Sequence, residues 1–180
     1  MSSAGQIVGE RKIGLVPRII VQGRMGPKEY AAIITDKRSI FILEKSSKAG
    51  IAGALGGGIA AAIAQAAATR RTADYEQGDL GAFAADPKNM VIPHEALERI
   101  QVKKNFLGPI YRLNIQFKTI EEKSKKVKGH LTPPSEHTKQ KKQEGLGRKQ
   151  IHYGYAKKVQ ELYQRALPAT ASAQLADWRI

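Results

Sequence analysis

The chain has 180 residues, enough for one domain with a sizeable core and too few for two full ones. It carries 30 lysines and arginines against 16 aspartates and glutamates, a formal net charge of +14, and no cysteine, which excludes a disulfide framework and thiolate metal sites and fits a reducing compartment. That charge suggests a polyanionic partner, whether nucleic acid, an anionic membrane face or an acidic protein; the plain alternative is a set of lysines that only maintains solubility.

The opening residues, MSSAGQIVGERK, lack the charged start and apolar run of a secretory signal, so the expectation is a cytoplasmic protein, peripheral where it meets a membrane. Residues 13–22 read as strand material broken by Pro17, with Ile19, Ile20 and Val21 as a β-branched run. Gly23, Gly26 and Pro27 mark a turn. Two short β-prone runs, residues 30–35 and 39–43, are separated by Asp36, Lys37 and Arg38, the spacing of a tight hairpin in which Asp36 closes its own turn on backbone amides.

Residues 49–68, AGIAGALGGGIAAAIAQAAA, form a Gly/Ala-rich stretch that as a helix would be about 30 Å long, enough to cross a bilayer. Ile51, Leu55, Ile59 and Ile63 make one stripe, and Gly53 and Gly57 a small surface for close helix approach. Its five glycines cost a helix about 5 kcal/mol relative to alanine. A single crossing would also separate the hairpin from the later strands on opposite sides of the membrane. The expectation is therefore an inserted helix over 49–71 that packs on its own domain or on a second copy, a homodimer through 49–68. The glycines match no G-x-G-x-x-G pattern and no G-K-[ST] follows them, so a nucleotide site is not expected.

Residues 69–88 read as a helix end running into a loop, and strand signals resume at 90–92, 99–103 and 111–118. In the last, Tyr111, Leu113, Ile115 and Phe117 share one face and Arg112, Asn114, Gln116 and Lys118 the other, the period of a half-buried strand. The sequence Phe106-Leu107-Gly108-Pro109 supplies the turn before it. Residues 119–150 form a basic loop, with room for one strand around 125–131 and a short helix after Thr132; Lys123, Lys125, Lys126, Lys128, Lys139, Lys141, Lys142, Arg148 and Lys149 are the candidate contacts to an anionic partner. Residues 151–167 are an amphipathic helix on the stripe Ile151, Tyr155, Val159, Leu162, Tyr163 and Ala166, stopped by Pro168. The tail, 169–180, holds the only tryptophan, Trp178, and reads as a packing anchor or a disordered end.

Several short strands followed by one amphipathic helix favour a mainly β (α+β) barrel or sandwich capped by a helix. The run ITDKRSIFILEK at 34–45 resembles the hairpin of GRAM and bacterial or archaeal pleckstrin-homology-like (PH-like) domains, and IPHEALERIQVKK at 92–104 resembles the element that follows, a Pro-containing turn before a strand. The resemblance covers most of 13–118 and 151–167. It implies a single PH-like domain over residues 1–168, a partly open barrel of about seven strands with the terminal helix in its open end.

No spacing looks catalytic. His94, His130, His137 and His152 lack the i, i+4 arrangement of a helical zinc site, and the pairs Glu121-Glu122 and Glu95-Glu98 read as surface charge. No cofactor and no small-molecule substrate are expected. Three functions compete: a non-catalytic module on an anionic membrane surface; an RNA- or ribosome-associated factor that meets phosphates through the lysines of 118–149; and a protein–protein adaptor that oligomerises through the Gly/Ala helix.

Overall fold

The structure, a computed structural model, describes residues 9–23, 26–45, 74–75, 77–106, 108–168 and 175–180. The Gly/Ala helix and its packing residues Ile51, Gly53, Leu55, Gly57, Ile59 and Ile63 lie outside the described residues.

The β-branched runs and the alternating segments become strands of one eight-stranded sheet: β1 (Lys12–Gly23), β2 (Gly26–Thr35), β3 (Arg38–Lys45), β4 (Met90–Pro93), β5 (Leu97–Lys104), β6 (Tyr111–Lys118), β7 (Ser124–Leu131) and β8 (Ala176–Arg179). Their order is β4-β3-β2-β1-β7-β6-β5-β8. All neighbours are antiparallel except β5 and β8, which run parallel with Val102 opposite Trp178. Among the described residues, the helices α1 (Leu80–Ala85), α2 (Ser135–Gln143) and α3 (Arg148–Ala166) accompany the sheet.

Pro17 does not break β1. A register shift between Val16 and Ile19 carries it through the ladder with β2, the bulge being the place where a residue without an N–H is tolerated. The β2–β3 hairpin forms as its spacing predicts, but its turn is closed by a different residue. Thr35 Oγ1 accepts from the amides of Lys37 (3.1 Å) and Arg38 (2.9 Å). Asp36 instead reaches back to the start of the chain, where its Oδ1 accepts from the Arg11 amide at 2.9 Å. Glu10 then holds Arg38 with two bonds, 2.9 and 2.8 Å, and so ties the residues before β1 to the hairpin.

Residues 119–150 are not one loop: β7 pairs along its whole length with β6, and α2 follows. Short helical structure also lies within the stretch read as loop before β4, where Asp79 caps α1 by accepting from the Gly81 amide at 2.8 Å. The tail supplies an eighth strand, with Trp178 packed against the core.

The helix α3 buries the stripe its spacing predicts, Ile151, Tyr155, Val159, Leu162, Tyr163 and Ala166, together with Ala156. It touches β1, β2, β5, β6 and β7, so the sheet curves around it, yet the edge strands β4 and β8 do not pair. The expected partly open barrel of about seven strands is thus an open sheet of eight. Gly14 sets the closeness of helix and sheet, since a Cβ there would stand 2.4 Å from Leu162 Cδ2. The opposite face of β2 and β3 is also apolar: Ala31, Ile33, Ile40 and Ile42 are buried with Tyr75, and Leu80, Phe83 and Ala84 pack against them. Burial on both faces is why that hairpin reads as continuous apolar runs, whereas β6, with a polar outer face, alternates.

Candidate functional site

Away from α3, the outer face of β5, β6 and β7 is polar, and cross-strand register decides what meets there. Lys103 stands opposite Arg112, and Arg112 opposite His130; one rung on, Gln101, Asn114 and Lys128 align, and the next rung places Arg99, Gln116 and Lys126 together. Successive rungs on one face are about 7 Å apart.

The two ends of this face differ in charge. At the end formed by the β6–β7 turn, Lys118 and Lys123 are matched by carboxylates, whereas among the described residues the exposed Lys125 and Lys126 form no ion pair. Lys118 pairs with Glu122 at 3.3 Å and Lys123 with Glu121 at 2.7 Å. Glu98 accepts from Ser124 Oγ at 2.6 Å and from Gln116 Nε2 at 3.1 Å, hydrogen bonds that hold its carboxyl below the usual range. On β8, Asp177 accepts from Arg99 at 3.1 Å and Gln101 at 2.6 Å.

At the other end, formed by the β5–β6 turn, the cations lack such partners. Lys103 and Arg112 face one another; Lys104 and Lys149 line one cleft of about 270 Å³ with Phe106, Gly108, Pro109 and Tyr111; Arg148 precedes Lys149 in the first turn of α3. Among the described residues, none of these five cations forms an ion pair. The first turn of α3 contains no acidic residue, so Arg148 and Lys149 also stand at the positive end of the helix dipole. The histidines nearby register this field. Burial, then Arg112, lowers the pKa of His130; burial, then Arg148, lowers that of His152. For His137 burial again leads, followed by Lys141 and Lys158, with Glu144 opposing.

The structure therefore sorts the nine cations singled out by composition. Lys126 and Lys128 are exposed on the outer sheet face, and Lys125, also exposed, alternates to the other side at the strand end. Lys123 is matched in the turn, and Lys141 is matched on α2 by Glu144 at 2.7 Å, while Lys139 and Lys142 are exposed there. Arg148 and Lys149 join the uncompensated end. Composition missed Lys103, Lys104 and Arg112, which lie outside the lysine-dense segment; their signal was the alternation of β5 and β6, legible only once the strands were in register.

The other cluster worth weighing is Ser39, His94 and Tyr163. Ser39 Oγ lies 3.0 Å from His94 Nε2 and donates to Tyr163 OH at 3.2 Å. Burial pushes the His94 pKa down to about 4, against the opposing influence of the Asp36 main-chain carbonyl and the Asp36 and Glu10 charges. Ser39 is 1% exposed, and the cluster ties β3, the 3-10 turn His94–Ala96 and α3 together. A cleft of about 520 Å³ opens beside it, but Glu10 and Arg38 on its wall are bonded to one another and Asp36 to the Arg11 amide. Among the described residues, no three His, Asp or Glu side chains converge as a metal would need.

What fold and site define is a mainly β protein, an open eight-stranded sheet wrapped on one helix, with five cations that form no ion pair among the described residues gathered at one end of its outer face. No protein-family model, curated protein or solved structure matches the chain. No described helix is long and apolar enough to cross a membrane.

Proposed function

We propose that the protein is a non-catalytic binding module of the PH-like type that docks reversibly on an anionic membrane surface at the cytoplasmic face. Two antiparallel runs that meet at β1, with the C-terminal helix against both, support the PH-like reading. The observation that carries the function is the uncompensated end of the sheet. Like charges directly opposite on neighbouring strands cost stability, and Lys103 opposite Arg112 is such a pair. The chain bears that cost where Lys104, Arg148 and Lys149 also gather without ion pairs among the described residues, while Lys118 and Lys123 are matched at the other end, and a surface for a polyanion calls for such a concentration. Each cation near an anionic bilayer contributes about 1 kcal/mol, so five give reversible attachment.

RNA phosphates would satisfy the same cations. The membrane is favoured because a fully exposed phenyl ring, Phe106, lines the same cleft as Lys104 and Lys149.

Flotation with phosphatidylcholine vesicles, with and without phosphatidylserine, tests the reading. Binding should require the anionic lipid and fall steeply as salt rises. Equal binding to neutral vesicles, or salt-sensitive sedimentation with RNA and none with vesicles, overturns it.

A further inference from the structure

We infer that the β5–β6 tip is a bilayer-insertion element: Phe106 enters the interfacial layer while Lys104 and Lys149, in the cleft at its base, receive a lipid phosphate. This inference rests on the membrane reading above and adds an orientation to it. A singly exposed apolar side chain is ordinary on a protein surface. Phe106 differs in its setting. It is 99% exposed in a hairpin loop closed by Asn105 N–H donating to Ile110 C=O at 2.8 Å. Gly108 has φ +86°, a conformation that favours glycine, and Pro109 follows with its fixed φ.

Around the ring the chemistry grades from apolar to basic as a membrane interface does. The cleft at its base has Lys104 and Lys149 in its lining and Tyr111 beside them. Tyr153, four residues after Lys149 on α3, meets the Tyr111 ring edge-on, with centroids 6.5 Å apart, and is itself half exposed. An aromatic ring with a polar tip at this depth suits the headgroup layer. The Lys103–Arg112 rung comes next, and Lys128 and Lys126 stand progressively farther back. A bilayer approached tip first therefore meets the phenyl ring, then two lysines and a tyrosine, then the remaining cations at the reach of screened attraction.

The full-length chain carrying F106W and W178F moves the only indole to position 106. It is to be mixed with 7:3 phosphatidylcholine/phosphatidylserine vesicles whose phosphatidylcholine carries bromine at known acyl positions. Quenching by shallow bromines is expected. In parallel, Phe106→Ser, which removes a ring that touches almost nothing of the protein, should lower vesicle affinity about tenfold or more without changing Tm. Lys104→Gln with Lys149→Gln should lower it by a similar factor, and Lys126→Gln with Lys128→Gln by less. If the wild-type chain binds these vesicles but the indole is not quenched and Phe106→Ser binds as well as wild type, insertion is refuted and the surface reading stands. Failure of the wild-type chain to bind anionic vesicles refutes both. Glycerophosphoserine that binds the cleft as tightly as the vesicles do would also refute insertion, since the headgroup alone would then account for the affinity.

Discussion

Thr35 shows how much of the fold can depend on one hydroxyl. Its Oγ1 accepts from two amides of the β2–β3 turn and lies within bonding distance of Glu10 Oε1 (2.7 Å) and the Arg38 carbonyl (2.9 Å). The residue is fully buried, so Thr35→Val would leave the Lys37 and Arg38 amides without their acceptor; a loss of about 1–3 kcal/mol in urea denaturation is expected. His94 sets an acid limit. Its folded pKa, about 4, lies below the ordinary 6.5, so its contribution to stability is intact above pH 6.5 and is lost as the pH falls through that interval toward 4. The full loss is roughly 3 kcal/mol. Urea titrations at pH 7.5 and pH 4 should show a drop in wild type that is smaller in His94→Gln; an equal drop in both would assign the acid sensitivity elsewhere.

At the level of elements, the joint between α3 and β1 is tight in a way that no period in the sequence announces. Gly14→Val would place carbon where Leu162 already sits, and overpacking of this kind costs about 1–3 kcal/mol. Leu162→Ala, which empties the same joint, is expected to cost about 2–5 kcal/mol, both read by denaturant midpoint at constant m. The β5–β6 ladder offers a test in which stability and binding move in opposite directions. Lys103→Glu replaces a repulsive rung with an attractive one and should stabilise the fold by about 0.2–1 kcal/mol while weakening attachment to anionic vesicles. A variant that loses both would mean that Lys103 supports the fold rather than the partner surface.

For the whole molecule, the open sheet makes the tail structural. β8 covers the edge of β5 in parallel register, Asp177 bonds Arg99 and Gln101, and Trp178 packs on the core. Truncation after Pro168 should bare the β5 edge, lower Tm by several degrees and promote self-association on size-exclusion chromatography. An unchanged Tm would show that β8 contributes no net stability. The same openness gives the molecule two chemically different ends, one where Lys118 and Lys123 are matched and one where five cations gather without ion pairs among the described residues, although the net charge of +14 describes the chain as a whole.

The sequence by itself determined whatever is periodic and near in the chain. The i, i+3 and i+4 stripe of α3 named its buried residues, the alternation of β6 named Tyr111, Leu113, Ile115 and Phe117, and the spacing of two apolar runs named the hairpin. These are local because helix and strand periods are fixed by backbone geometry. Lysine density also marked a basic segment, but density has no direction. Only the tertiary structure decided that Lys123 and Lys141 are matched by carboxylates, that Lys103 stands against Arg112, and that Lys149 joins Lys104 and Phe106 in one cleft. It also decided that eight strands leave the sheet open. Register, strand order and closure arise from pairings between residues far apart in the chain, such as Ile19 with Leu131 or Val102 with Trp178, which no local period specifies.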